Sequence, residues 1–193
     1  ETTSNLMTFA CFICATRPEI KQRCIEEVSI ICGNDPIDND EQVKNLKYIE
    51  AVLLETLRLY PSAPFIQRVA TKDNIIGNGK NSIKVKKGTT VTINTYALHR
   101  MEKYWENPTI FDPDRFYLTS GTRYIPFSYL PFGGGTRKCI GQGFAIQEAK
   151  VMLASILQKF DITPVEGQRD SLSAVITMQF TDGFEAYVTP RKK

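Results

Sequence analysis

The residues of this sequence that could do chemistry cluster around one cysteine. Cys139 lies in the stretch PFGGGTRKCIGQG, where glycines surround it and two cations, Arg137 and Lys138, come directly before it. The glycines let a flat group approach the backbone closely. The two cations and a helix predicted to follow Gly141 bring positive charge to the sulfur, which favours its thiolate form. A thiolate in such a loop can be a nucleophile or a metal ligand.

The surroundings of the cysteine help to choose between these two roles. A nucleophile needs a base, and the single histidine of the sequence, His99, is the only one available. The loop also lacks the spacing of a phosphate-binding loop, since Cys139 stands where serine or threonine is required. A ligand role fits the glycines, the aromatic Phe132 and an arginine suited to a carboxylate. These features together favour a planar, anionic metal complex.

A second group of polar residues lies in a helix rich in leucine. Glu55 and Arg58 in ETLR are three residues apart and therefore share one helix face. Most such pairs are exposed and contribute little to stability. This pair lies late in a strongly apolar helix, where a buried arginine needs further partners for its donors. Arg115 in FDPDRF is a candidate third member of the group.

Two further polar patterns have ordinary structural interpretations. ETTS places Glu1 and Thr2 at the start of the first predicted helix, either as a solvated helix end or as a proton relay beside a buried site. Cys11 and Cys14 form a CxxC, but a zinc site needs a second pair of ligands. Inside an apolar helix we expect both cysteines to be small buried hydrophobic residues.

Composition limits the class of protein. With 193 residues, 42% hydrophobic and 23% charged, the chain is predicted to form one globular domain or a lobe of a larger one. Its net charge of +3 is too weak to indicate a nucleic-acid partner. The five cysteines are odd in number and irregular in spacing, which predicts free thiols rather than a disulfide framework.

Apolar spacing predicts helices before and after a region of strands. One helix begins near the first residue, a second runs through RPEIKQRCIEEVSIIC with Thr16 as its cap, and a third runs through EQVKNLKYIEAVLLETLRLY and ends before Pro61. SIKV and TTVTINTYAL are predicted strands, and HRMEKYWENPTIFDPDRFYL an ordered loop. A long helix follows the cysteine loop, and AVITMQF and FEAYVTP are the final strands. The predicted fold class is α+β, mostly helical with small sheets.

Four motifs resemble those of one family. FGGGTRKCIG resembles the haem-binding signature of the cytochrome P450 superfamily, F-x-x-G-x-R-x-C-x-G, with all five fixed positions matched. ETLR resembles its ExxR helix, FDPDRF its following arginine loop, and ETTS the end of its oxygen-activating helix motif. The motifs occur in the order of the family and extend over almost the whole chain. The matching signature positions are Phe132, Gly135, Arg137, Cys139 and Gly141.

The resemblance implies a role for each matching residue. Haem b iron takes Cys139 as its axial thiolate ligand, Arg137 and Arg68 bind the haem propionates, and Phe132 packs beside the sulfur. Glu1 and Thr2 are implied to be the acid–threonine pair that delivers protons for oxygen activation. The implied structural triad consists of Glu55, Arg58 and Arg115. The implied substrate-lining residues are Ser62, Ala63, Pro64, Phe65, Ile66 and Thr181.

The implied activity is that of a haem-thiolate monooxygenase. Such an enzyme inserts one oxygen atom of O2 into an apolar substrate with electrons from an NADPH-dependent reductase or another donor. TYALHRMEKYWENPTIFDPDRF is similar to the fatty-acid-hydroxylating branch, which suggests a long-chain lipid. Two alternatives stay open. One is a relative that rearranges hydroperoxides without O2, against which Thr2 argues, and the other is a truncated product that binds haem or a partner without catalysis.

The sequence begins inside its first predicted helix. It starts at the acid of the oxygen-activating motif, without the small residues that precede this acid in the family. We therefore expect residues 1–193 to be the C-terminal, haem-binding part of a single cytochrome P450 domain. The resemblance implies the endoplasmic-reticulum membrane for a eukaryotic parent and the cytoplasm otherwise. The longest apolar run, LMTFACFICA, is far shorter than the roughly 20 residues that span a bilayer.

Overall fold

Four helices form the main body of the chain in a computed structural model, which describes residues 1–117 and 124–191. Short 3-10 turns occur at Gly79–Asn81 and Gly135–Arg137. The other elements, in chain order, are α1 (Thr2–Thr16), α2 (Pro18–Cys32), α3 (Asp40–Asn45), α4 (Lys47–Leu59), β1 (Phe65–Val69), β2 (Asn74–Ile76), β3 (Ile83–Val85), β4 (Thr90–Asn94), α5 (Thr95–Leu98), α6 (Asp114–Tyr117), α7 (Gln142–Lys159), β5 (Phe160–Pro164), β6 (Leu172–Ala174), β7 (Met178–Phe180) and β8 (Ala186–Pro190).

The main core lies where α1, α2, α4 and α7 pack against one another. Each helix buries one apolar stripe whose members are three or four residues apart, as the sequence predicts. Burial of these side chains is the main stabilising contribution to the fold. The core residues include Leu6, Ile13, Val28, Ile49, Leu53, Leu153 and Leu157.

The strands form small antiparallel sheets beside the helices. In the described residues there are four two-stranded sheets, which pair β1 with β4, β2 with β3, β5 with β8, and β6 with β7. The two final strands, β7 and β8, therefore flank the Thr181-Asp182-Gly183 turn but belong to different sheets. Helices that dominate over small sheets confirm the α+β fold class.

The predicted third helix is divided in two. Leu46 has φ −69° and ψ 73°, which interrupts the helical backbone between α3 and α4. Its side chain is fully buried in the main core. Burial of this leucine thus overrides the helix propensity of the continuous apolar pattern. The predicted end before Pro61 is confirmed, because α4 ends at Leu59.

Two side chains have capping roles that differ from prediction. Thr16 is still in α1, where its hydroxyl donates to the Phe12 carbonyl, and Arg17 takes the N-cap position of α2. The Asn94 side chain accepts a hydrogen bond from the Ala97 N–H. This cap ends β4 and begins α5, so the predicted strand TTVTINTYAL continues only to Asn94.

None of the described helices is both long enough and apolar enough to cross a membrane.

Replacing the N-cap residue of α3 should measurably destabilise the chain. The Asn39 side-chain oxygen accepts a hydrogen bond from the Gln42 N–H at 3.0 Å. We expect Asn39→Ala to lower the free energy of unfolding by about 1 kcal/mol in urea titrations, because it leaves this donor unpaired. Asn39→Ser keeps an acceptor and should lose less, so equal losses for the two variants would contradict the capping role.

Candidate functional site

The cysteine loop is closed by its own backbone. The N–H of Cys139 donates to the Phe132 carbonyl at 2.8 Å, and the N–H of Lys138 donates to the Gly135 carbonyl at 3.2 Å. Gly133 and Gly135 have φ values of 75° and 69°, a region that L-residues with side chains seldom adopt. The two glycines let the loop reverse direction twice within a few residues. The loop thereby exposes Cys139, whereas the other four cysteines are buried or half-buried.

Helix α7 begins directly beside the sulfur. Gly141 is its N-cap and has no side-chain capping bond, so the first N–H groups of the helix have no side-chain acceptor there. A Cβ atom at Gly141 would lie 3.9 Å from Cys139 Sγ, which shows how closely the helix start approaches the thiol. The positive end of the helix dipole therefore acts on this sulfur and favours a negative charge there.

A cavity of about 260 Å³ opens at Cys139. Its walls come from α1, the end of α4, strand β1, the cysteine loop and the first turns of α7. The wall is mostly apolar, with the thiol and two guanidinium groups at its edges. The residues that line it are Thr2, Thr3, Leu6, Leu57, Ser62, Ala63, Ile66, Arg68, Pro131, Phe132, Gly133, Arg137, Cys139 and Ala145.

These side chains fit a planar, anionic metal complex. Arg68 and Arg137 are both exposed, and neither pairs with a carboxylate in the described part of the chain. They can therefore bind carboxylates of a ligand through their planar guanidinium groups. The thiol of Cys139 is a soft ligand for iron, and Phe132 and Leu6 supply apolar contacts. The cavity thus offers one sulfur ligand, two cationic side chains and an apolar wall.

Strand alternation decides which of the predicted substrate-lining residues reach the cavity. Ile66 and Arg68 are two residues apart in β1 and both line it, as do Ser62 and Ala63. Phe65 has the opposite orientation in the strand and does not line the cavity. Pro64 is buried but does not line the cavity, and its carbonyl accepts the Thr95 N–H. The assignment of Pro64 and Phe65 to the cavity wall is thus not matched by the structure.

Thr181 is also absent from the cavity wall. Its N–H donates to the Ser171 carbonyl at 2.9 Å, so it closes the base of the β6–β7 pair. The opposite end of this pair approaches α1 instead, because the Thr177 hydroxyl donates to Glu1 Oε1 at 2.6 Å. The two residues before Thr177, Val175 and Ile176, are strongly exposed. The structure therefore does not bring Thr181 to the cavity at Cys139, and strand patterns do not specify which end of a hairpin meets a helix.

The predicted acid–threonine pair is divided between two environments. Thr2 lines the cavity, and its carbonyl accepts a hydrogen bond from the Ser62 hydroxyl at 3.1 Å. Glu1 is exposed and is not among the lining residues, because its carboxylate is held by Thr177. The structure therefore brings Thr2, but not Glu1, to the same cavity as Cys139.

The predicted triad is assembled beneath the site. Glu55 and Arg58 form a two-point ion pair with both N···O distances at 2.7 Å, and neither side chain is exposed. Arg115, on α6 rather than on a loop, lies 3.4 Å from Glu55 Oε1. The Asp112 N–H donates to the same oxygen. Burial raises the pKa of the Glu55 carboxyl, and its bonds with Arg58 oppose this rise.

Arg58 has a partner for each of its five N–H donors. Besides Glu55, it donates to the backbone carbonyls of His99, Pro108 and Ile110 at 2.6–2.9 Å. The sequence predicted that a buried arginine here needs further partners. It did not identify them, because backbone carbonyls of a distant loop have no signature in residue type.

His99 is the main residue that the sequence-based interpretation missed. Its side chain is fully buried, with Nε2 accepting the Leu130 N–H at 2.8 Å and Nδ1 lying 3.1 Å from the Arg58 carbonyl. Since Nε2 is an acceptor, the proton resides on Nδ1 and is donated to that carbonyl. Burial lowers the pKa of His99 from 6.5 to about 4, which keeps the ring neutral. Because both ring nitrogens are hydrogen-bonded to backbone groups of Arg58 and Leu130, neither is available as a base for Cys139.

The CxxC cysteines are core residues, as expected. Cys14 is fully buried and Cys11 packs against the same core. Burial raises the pKa of the Cys11 thiol to about 12, so it stays protonated. Within residues 1–117 and 124–191 no group of three or more histidine, cysteine, aspartate or glutamate side chains could hold a metal ion. All five cysteines are free thiols in the structure.

Comparison with known proteins agrees with this geometry. The family model described as Cytochrome P450 matches residues 1–180. Cytochrome P450 4c3 of Drosophila melanogaster is 36% identical over 99% of this chain and 36% of its own length. Cytochrome P450 3A16 of Mus musculus is 39% identical over 85% of this chain and 32% of its own length. The chain spans about a third of the length of these curated relatives. It belongs to the cytochrome P450 family.

Proposed function

We propose that this chain is the haem-binding part of a haem-thiolate monooxygenase, with Cys139 as the ligand of haem b iron. One observation carries the proposal: the exposed thiol opens into an apolar cavity whose rim has two guanidinium groups, and neither forms an ion pair with the residues that the structure describes. Membership of the cytochrome P450 family adds the class of chemistry. The wider activity is that of a whole protein about three times as long.

Four residues of the cavity have defined tasks in this proposal. The haem, when bound, supplies the chemistry that activates O2 and transfers one oxygen atom to a C–H bond. Cys139 provides the negative sulfur ligand, and the N-terminal N–H groups of α7 stabilise its charge. Arg68 and Arg137 bind and orient the propionates. Phe132 packs beside the sulfur and limits its access to water.

The proposal assigns proton delivery to the residues at the start of α1. The Thr2 side chain is the proton donor within the cavity, and its position is fixed by the bond between its carbonyl and Ser62. Glu1, held by Thr177, is the exposed carboxylate that exchanges protons with solvent. The presence of Thr2 favours the monooxygenase over a relative that rearranges hydroperoxides.

The substrate class and the partners follow from the same resemblance. The cavity wall formed by Leu6, Ala63 and Ile66 suits an apolar substrate, for which we propose a long-chain lipid such as a fatty acid. The other reactants are O2 and electrons from an NADPH-dependent reductase. For the whole protein we propose a place at the endoplasmic-reticulum membrane if the parent is eukaryotic, and in the cytoplasm otherwise.

A spectroscopic experiment tests the ligand. After haem loading, reduction and treatment with CO, the chain should show the red-shifted Soret band of thiolate-bound haem. Cys139→Ser should abolish this band, whereas Cys11→Ser, at a cysteine outside the cavity, should retain it. An unchanged band in Cys139→Ser would refute the ligand assignment.

A second measurement separates monooxygenase activity from its rivals. Oxygen-dependent NADPH consumption, with added reductase and a fatty acid, is expected of the monooxygenase in its full-length form. Hydroperoxide turnover without O2 would favour the rearranging relative. Haem binding without either reaction would favour a non-catalytic product.

A further inference from the structure

The segment that leads into the cysteine loop has one side-chain anchor. The Leu130 N–H donates to His99 Nε2 at 2.8 Å, and the Leu130 carbonyl accepts the Gly133 N–H at 3.1 Å. Two residues after Leu130, the Phe132 carbonyl accepts the Cys139 N–H at 2.8 Å. Among the described residues, no other side chain hydrogen-bonds a backbone group in residues 130–139. His99 therefore anchors the segment whose backbone hydrogen bonds hold Cys139 in place.

The other side of the same ring is attached to the end of α4. His99 Nδ1 donates to the Arg58 carbonyl, and the His99 carbonyl in turn accepts from Arg58 Nη1 at 2.8 Å. Arg58 is itself immobilised by Glu55 and by the carbonyls of Pro108 and Ile110. The ring thus connects the fully hydrogen-bonded Arg58 to the segment that leads into the glycine-rich cysteine loop.

We propose that His99 is a positioning residue for Cys139, which transmits the fixed geometry of the Glu55–Arg58 pair to the cysteine loop through Leu130. This inference depends on the proposed function only in that Cys139 is the haem ligand. Loop glycines such as Gly133 and Gly135 allow many backbone conformations, so an external constraint is needed to select one of them. An imidazole meets the need because it offers a donor and an acceptor on opposite sides of a flat, rigid ring.

Two substitutions separate positioning from general stability. In His99→Gln, the side-chain amide reaches the place of Nε2 and can accept from the Leu130 N–H. In His99→Asn, the shorter amide reaches only the place of Nδ1 and can donate to the Arg58 carbonyl. Each variant loses one of the two hydrogen bonds that the imidazole makes, together with some packing. Only His99→Asn loses the hydrogen bond from the Leu130 N–H.

The first measurement is hydrogen exchange in the chain without haem. We expect the amides of Leu130 and Cys139 to exchange about tenfold faster in His99→Asn than in the parent chain, since one buried hydrogen bond is lost. His99→Gln should stay within about threefold of the parent. A control variant, Leu157→Ala, destabilises the core between α2 and α7 and should leave the ratio of Leu130 exchange to core exchange unchanged.

The second measurement is the fraction of thiolate-bound haem in the reduced, CO-treated chain. The fraction of thiolate-bound haem should fall in His99→Asn and be retained in His99→Gln and in Leu157→Ala. All variants are compared at one temperature, at which each of them is folded. Equal exchange and equal spectra for the Asn and Gln variants would overturn the inference. If no variant, including the parent, shows the thiolate band, the proposed function fails, while the exchange measurement still decides the role of His99.

Discussion

Replacing Arg58 with methionine should lower the free energy of unfolding by about 3–5 kcal/mol, which is a large part of the stability of a typical domain. The substitution leaves the Glu55 carboxylate buried without its main counter-charge. It also removes the donors for the carbonyls of His99, Pro108 and Ile110. The buried Glu55 carboxylate then carries a desolvation cost, and the three carbonyls lose their donors. Urea denaturation followed by circular dichroism measures the loss.

A partly exposed ion pair of similar length is the matched control. Lys21 Nζ lies 2.6 Å from Asp161 Oδ1, but half of the aspartate side chain is exposed. Lys21→Met should cost less than about 1 kcal/mol, because water replaces the lost partner. If Arg58→Met does not fold, Arg58→Lys supplies the comparison, since it keeps the charge and loses the two-point geometry. Similar losses at Arg58 and Lys21 would contradict the role given to burial.

The double variant Glu55→Leu/Arg58→Met separates charge from hydrogen bonding. Removal of both charges should recover part of the loss seen in Arg58→Met, because no unpaired carboxylate remains. Recovery should be incomplete, since the carbonyls of His99, Pro108 and Ile110 still lack donors. Full recovery would mean that the backbone bonds of Arg58 contribute nothing to stability.

The cysteine loop shows which parts of the site can be predicted from sequence. Its chemistry depends on neighbours in the chain: Cys139 follows two cations, and Gly141 begins the helix whose dipole acts on the sulfur. The same is true of Glu55 and Arg58, which one helix turn brings together. Local spacing determines such contacts, so residue types and spacing are sufficient to anticipate them.

Residue types and spacing did not predict the contacts between distant segments. The bond from Leu130 to His99 joins positions 31 residues apart, and one of its partners is a backbone N–H. The approach of Thr177 to Glu1 joins nearly the two ends of the chain. Burial of Leu46 interrupts a helix whose pattern is otherwise continuous. In each case tertiary packing, which a linear pattern does not encode locally, decides the outcome.

These two kinds of contact have different tasks in the site. Local contacts supply the reactive groups, which are exposed at the cavity, as with Cys139 and Arg137. The long-range contacts made by Arg58 and His99 involve buried side chains and connect α4 to the segment before the cysteine loop. The glycine-rich loop is closed by its own backbone bonds, and the buried network contributes one further hydrogen bond, from the Leu130 N–H to His99. The reactive groups of the site and the buried network thus come from different parts of the chain.

Acid should destabilise the chain through His99. Its pKa is lowered by burial from 6.5 to about 4 in the folded state, and the nearby charges of Arg58 and Arg100 act in the same direction. Between these two values the unfolded chain binds a proton that the folded chain does not, so stability falls as the pH falls. The contribution is fully present above pH 6.5, and its loss reaches about 3 kcal/mol near pH 4.

The variant His99→Gln isolates this contribution from that of the carboxylates. The raised pKa of Glu55 has the opposite sign, since the folded chain takes up that proton first, but it is common to both proteins and cancels in the difference. The free energy of unfolding, measured in urea from pH 7 to pH 4, should therefore fall more steeply for the parent chain than for His99→Gln. Parallel profiles would show that the His99 ring is not held neutral, because a freely titrating ring contributes no slope of its own.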